Sequence, residues 1–145
     1  MIIVYAPAEG DAHRWNLKEA RILATEAEAV ERVTDLEWDK ARAKIVKGSM
    51  LALRAVAWVL LKRTEPTLRY AQFDPAAGEL GYEYDAEERA TIRENIANDP
   101  DLSEAERAEI LAAFDEAGDA EAGTSDEDPE QAPKASGDTA SPTGG

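Results

Sequence analysis

The segment Ser49–Arg63, SMLALRAVAWVLLKR, constrains the fold more than any other part of the chain. Between Met50 and Leu61 only Arg54 is charged, and Ala55–Leu61 is an unbroken apolar run. A membrane span needs about 18 or more such residues, so the segment is too short to cross a bilayer and too apolar to be left in water. At about 3.6 residues per turn, Leu51, Ala55, Trp58 or Val59, and Lys62 share one face, and Leu53, Val56, Ala57, Leu60 and Leu61 carry the apolar surface almost all the way round. The pattern predicts a central helix wrapped by neighbours, with Arg54 snorkelling at an edge. The competing reading leaves one side open as a groove for a partner.

The flanking sequence supplies the neighbours. Met1–Ala6, MIIVYA, reads as a short strand or an extended arm stopped by Pro7 and the Glu9-Gly10-Asp11 turn signal. Asn16, with Glu19 three positions on, predicts the start of a helix from Leu17 to about Val33. Leu17, Ala20, Leu23 or Ala24, Ala27 and Val30 form its inner stripe, and Glu26, Glu28 and Glu31 face solvent. Thr34-Asp35-Leu36-Glu37 fits the S/T-x-x-E capping signature and predicts a second helix to about Val46, burying Leu36, Ala41 and Ile45, with Trp38 a further candidate for that face. Lys40, Arg42, Lys44 and Lys47 make its other side basic. Gly48 suits the position after a helix end, and Ser49 can cap the central helix at once.

Thr64-Glu65-Pro66 ends the central helix. Pro66–Asp74, PTLRYAQFD, predicts a short strand or an extended clasp laying Leu68, Tyr70 and Phe73 over the helices. Pro75, Gly78 and Gly81 then break the pattern, placing a helical core domain at residues 1–74. Residues 75–118 read as an acidic region with one or two marginal helices, from Asp85 to Asn98 and from the Ser103–Glu106 capping box to about Ala117, where Gly118 ends it. Residues 119–145 hold no aromatic and too little apolar surface to offset the entropy of ordering, so they read as a disordered acidic tail. The fold class expected is mainly α: a small helical bundle with a short N-terminal extended segment and that tail.

Charge divides the chain in the same way. The net charge is -15, but residues 1–64 carry 11 basic and 9 acidic side chains while residues 65–145 carry 5 and 22. An acidic extension of this strength repels phosphate backbones and anionic lipid, so neither nucleic acid nor membrane is an expected partner. The absence of cysteine excludes a disulfide framework and a thiolate zinc site. With no apolar leader at its start, the sequence reads as made and kept in a reducing cytoplasm.

Catalysis needs convergent tuned groups, and the sequence commits none. There is one histidine, His13, read as an ordinary surface imidazole, and no glycine-rich phosphate loop. Adjacent acids such as Glu87 with Glu88, or Asp115 with Glu116, point apart on a helix. Asp101–Asp115 has the acidic look of a calcium loop, but Ile110, Leu111 and Ala112 stand in its interior, where oxygen ligands are needed. No catalytic, cofactor-binding or metal-ligating residue is assigned, and the protein is not expected to be an enzyme.

Four stretches carry a resemblance: Lys18-Glu19-Ala20-Arg21, Val33–Trp38, Gly48–Arg63 and Glu65–Asp74. Together they resemble the tail assembly chaperones of long-tailed bacteriophages that infect actinobacteria, over about residues 15 to 74. Asp35 departs from the family's usual glycine, though Asp tolerates a turn conformation, and Pro75–Glu79 blurs the usual acidic continuation. The resemblance implies a non-enzymatic factor, without cofactor, that binds the tape measure protein and keeps that long helical polypeptide soluble while the tail tube polymerises. It implies action in the host cytoplasm and absence from the mature virion. It also implies a longer form made by ribosomal frameshifting that recruits the tail tube protein; Ala132-Pro133-Lys134 permits the slippery codons GCC CCA AAG. Contact candidates are Trp38, Trp58 and Leu61, with Leu68, Tyr70 and Phe73 as the clasp, since Trp and Tyr are frequent anchors at interfaces; Trp58 and Trp38 are also what an ordinary core would use. Rival readings are a structural virion or head-tail connector component, and an acidic cytoplasmic regulator masking a basic partner.

Overall fold

Met1, Ile3 and Tyr5 alternate with Ile2 and Val4, so an extended chain here has two distinct faces. In the computed structural model, which describes residues 1–126 and side chains through Gly118, this segment forms β1 (Ile2–Tyr5). It is the centre of a three-stranded antiparallel sheet ordered β2-β1-β3, with β2 at His13–Asn16 and β3 at Leu80–Glu83. Ile3 stands opposite Trp15 and Tyr82, and Tyr5 opposite His13 and Leu80. These inward residues pack on the helices, with Ile3 and Leu80 fully in the core. The outer face carries Ile2, Val4 and an ion pair between Arg14 and Glu83. The expected extended segment is therefore a paired central strand, and β3 joins it from beyond Asp74.

Two compact units result, Met1–Ile92 and Arg93–Gly145. In the first, the helix expected from Leu17 to Val33 is split. Asn16 does cap, its Oδ1 accepting from the Lys18 N–H at 3.0 Å, but α1 spans only Leu17–Ala20 and Arg21 turns left-handed at φ 49°. The chain restarts as α2 (Ala24–Thr34) because Glu26 Oε1 accepts the Leu23 N–H at 2.9 Å, fixing a new helix start. Its carboxylate also takes the Arg63 guanidinium at 2.7 and 2.8 Å.

The capping signature at Thr34 is not used as such. Thr34 is the buried last residue of α2, and its hydroxyl donates to the Val30 carbonyl at 2.7 Å. Asp35 takes the left-handed conformation at φ 60°. The next helix, α3 (Trp38–Val46), starts three residues later than the signature suggests, and its first N–H, at Trp38, is accepted by Glu31 Oε2 at 2.8 Å. A carboxylate one helix back thus supplies the cap.

The joint that follows behaves as the sequence predicts. Gly48, at φ 93°, donates to the Ile45 carbonyl at 2.9 Å while the Ser49 N–H reaches the Lys44 carbonyl at 2.9 Å, which is the double bond pattern of a glycine-terminated helix. Ser49 Oγ then accepts from the Ala52 N–H at 3.2 Å and opens α4 (Met50–Leu61). From Ala52 to Leu61 every residue of α4 except Arg54 is buried. It packs against α2, α3, β1 and β3, so the apolar run is the axis of the unit.

Pro66–Asp74 forms neither a strand nor a plain extended clasp but a strap containing a tight 3-10 turn at Tyr70–Gln72. In the second unit, α5 (Ala86–Ala97, which begins within the first unit) is followed by α6 (Glu104–Asp126). The Ser103–Glu106 capping box is formed, at 3.1 and 2.7 Å. The α6 helix continues past Gly118, where an end was expected; an interior glycine costs a helix only about 1 kcal/mol, which the alanine-rich flanks absorb. The remainder of the expected disordered tail, residues 127–145, lies outside the described residues. The protein is mainly α with one small sheet, and none of its described helices is long and apolar enough to cross a membrane.

Candidate partner-binding surface

Residues four apart on a helix share a face, and on α4 Arg54, Trp58 and Lys62 form such a row. The strap lies along it. Arg54 Nε donates to the Phe73 carbonyl at 2.6 Å and its terminal nitrogen to the Tyr70 carbonyl at 2.8 Å, while the guanidinium stacks 4.0 Å from the Tyr70 ring centre. Trp58 Nε1 donates to the Leu68 carbonyl at 3.0 Å, its ring meets Tyr70 edge-on at 5.3 Å, and Lys62 Nζ sits 4.9 Å over the indole. Arg54 therefore does not snorkel at an edge. It latches the strap, because a planar fork of donors satisfies two carbonyls of an irregular segment that no sheet or helix serves.

Five of the six residues singled out in the sequence meet here. Leu61, Leu68 and Phe73 line one groove of about 480 Å3, and Trp58 and Tyr70 pack beside it. Trp58, Leu61 and Phe73 are 7%, 5% and 4% exposed, so they are closed to a partner while the strap is seated. Leu68 and Tyr70 are half-buried. Trp38 stands apart on α3, half-buried against the core with Arg42 5.7 Å from its ring. The Tyr70 hydroxyl is out of contact with solvent and has no hydrogen-bond partner among the described residues.

The groove beside the strap is rimmed by Glu9, Asp11, Glu65, Asp74 and Glu79. Burial, and then the charges of Glu79 and Glu65, raise the pKa of the Tyr5 phenol above its ordinary value. His13, expected on the polar surface, instead lies in β2 in an aromatic row, stacked 5.8 Å from Tyr5 and 5.2 Å from Trp15. No three metal-ligating side chains gather among the described residues.

Open apolar surface lies elsewhere: Leu23, offered by the sequence for an inner stripe, is 58% exposed, and a cluster not proposed as a contact surface sits at the α3–α4 joint. Val46, Met50 and Leu51 are 43%, 39% and 47% exposed at the α3–α4 joint, next to the exposed Lys44 and Lys47. Leu51 shares a face with Ala55 by helical spacing, yet Ala55 is fully buried and Leu51 is open. Only Met50 and Leu51 of the first turn of α4 are open, since Ala52 and Leu53 are already buried.

A second groove, of about 600 Å3, runs between α3 and the start of α5 over Leu17, Ala43 and Val46. Its charged rim is internally satisfied: Arg42 pairs with Asp39 at 3.0 Å, Lys18 with Glu87, and the Met1 amine with Asp85 at 3.0 Å and with Glu88. What the whole unit offers chemically is apolar area and donors aimed at main-chain carbonyls. No family model, curated protein or solved structure matches this chain.

Proposed function

We propose that this protein is a tail assembly chaperone of a long-tailed bacteriophage, which binds the tape measure protein in the host cytoplasm and leaves before the virion is complete. The observation that carries this reading is the open Val46-Met50-Leu51 corner beside Lys44 and Lys47, which holds three of the four exposed large hydrophobics described in this unit, the fourth being Leu23. An amphipathic helix can lay its apolar face on such a corner and set acidic residues against the lysines. The three side chains expose roughly 200 Å2 of apolar surface, against about 800 Å2 per partner in a stable interface. That size suits a weak, repeated grip along a long polypeptide rather than a permanent complex. The resemblance in residues 15 to 74 supplies the identity of the polypeptide, and the acidic charge beyond residue 64 keeps the complex soluble.

Co-expression with the long helical protein encoded just downstream tests the reading. The expected result is that the partner moves from the pellet to the soluble fraction, and that purified phage particles lack this chain. An unchanged pellet, even with any frameshifted longer form supplied, refutes it; stoichiometric recovery in finished particles favours a structural virion component. The codons of Ala132-Pro133-Lys134 decide the frameshift, since a gene without a slippery run in that region makes no longer form there.

A further inference from the structure

The contacts that hold the strap are of a particular kind. All three hydrogen bonds from the α4 face end on strap main-chain carbonyls, at Leu68, Tyr70 and Phe73. Side-chain recognition enters through the seating of Leu68, Tyr70 and Phe73, with the Arg54 guanidinium over the Tyr70 ring, while Thr67, Arg69, Ala71, Gln72 and Asp74 are exposed. This is how a groove reads an extended peptide: main-chain bonds give affinity and spaced pockets give specificity. Pro66 and Pro75 bracket the segment. Its fit is also imperfect, because the Tyr70 hydroxyl is enclosed with nothing to bond to, and an enclosed unpartnered hydroxyl is destabilising.

We propose that the α4 face of Arg54, Trp58 and Leu61 is a peptide-binding groove that residues 66–74 occupy in cis. Its occupant in trans is an irregular or extended segment of a partner protein with the spacing apolar-x-aromatic-x-x-aromatic and a phenylalanine in the middle aromatic place. A ring without the hydroxyl fills the Tyr70 position with no unmet polar group, and so has the advantage the native strap lacks. A second copy of this chain brings the same tyrosine and the same misfit, and gains nothing over the tethered strap, whose effective concentration is already high. The inference goes beyond the chaperone reading and does not depend on the identity of the partner proposed above.

The test uses the full chain and a fluorescein-labelled synthetic peptide of residues 66–74 carrying Tyr70→Phe, followed by fluorescence anisotropy. Leu68→Ser, which loosens the tethered strap, is expected to bind this peptide about tenfold more tightly than the unchanged chain, and Trp58→Phe in the same background to weaken it again. The native-sequence peptide is expected to bind several-fold less well than the Tyr70→Phe peptide. Equal binding of the peptide by the unchanged chain and a folded Leu68→Ser chain overturns the proposal, as does no binding by the latter. A strap-exchanged dimer of Leu68→Ser in light scattering also overturns it, in favour of a second copy as occupant. Should Leu68→Ser fail to fold, Tyr70→Phe in the full chain decides. A higher melting temperature, slower hydrogen exchange of the 67–74 amides and weaker peptide binding support the proposal; a lower melting temperature or unchanged exchange refutes it.

Discussion

Replacing Arg54 by methionine keeps an unbranched apolar stem and removes only the guanidinium. The structure assigns that group two hydrogen bonds to strap carbonyls, at 2.6 and 2.8 Å, and a stacking contact 4.0 Å from the Tyr70 ring. A hydrogen bond from a charged donor contributes about 1.5–3 kcal/mol, and a partly exposed cation–π contact about 0.5–1 kcal/mol. Against these stand the regained hydration of the freed carbonyls and the removal of a half-buried cation, so the net loss is about 2–3 kcal/mol. For a unit of the size of Met1–Ile92, this lowers the melting temperature by about 10–20 °C. Arg54→Lys retains the charge without the planar fork and is expected to lose about half as much. Urea unfolding followed by far-ultraviolet circular dichroism measures the loss, and hydrogen exchange at residues 68–73 locates it. An Arg54→Met chain within about 0.5 kcal/mol of the parent, or strap amides that exchange no faster, refutes the assignment of Arg54 as the latch.

Gly48→Ala meets no atom within 4 Å, so its cost is the left-handed backbone alone; about 1–2 kcal/mol is expected by urea unfolding, with Gly48→Asn losing less. Leu60→Ala, at a side chain 1% exposed in the axis of the unit, is expected to cost about 2–5 kcal/mol by the same measurement. Asp85 is held ionised, its pKa lowered to about 2, first by the Glu88 N–H at 2.8 Å and then by the Met1 amine at 3.0 Å. A depressed carboxylate pKa gives stability that is complete above the ordinary aspartate value and lost as pH falls from about 4 toward 2. Acid titration of Asp85→Asn is therefore expected to show a shallower loss across that window, by about 1 kcal/mol after solvent screening; identical acid profiles contradict it. Leu51→Ser, at 47% exposure, is expected to change stability by less than about 1 kcal/mol while reducing solubilisation of the helical partner in co-expression.

Local chemistry made the helix ends around the apolar run legible. Gly48, Ser49 and the Ser103–Glu106 pair act as the sequence predicts, because each bond involved closes within a few residues. Thr34 and Asn16 mislead for the opposite reason: Glu31 caps α3 from seven residues away, and Glu26 restarts a helix that Asn16 had opened only briefly. Of the candidate surface, the sequence pointed to the residue types but not to their exposure. Trp58, Leu61 and Phe73 are buried in the folded unit, whereas Val46, Met50 and Leu51 stay open at the α3–α4 joint.

Composition and periodicity by themselves determined that Ala52–Leu61 must be enclosed, since no alternative removes so much contiguous apolar surface from water. They did not determine what encloses it. That was decided by pairings between distant parts of the chain, β1 with β3 across more than seventy residues and Arg54 with two strap carbonyls. A hydrogen bond to a main-chain carbonyl leaves no mark in the identity of the residue that accepts it, and for that reason the bonds that latch the strap, and the partner strands β2 and β3, became visible only once the chain was folded.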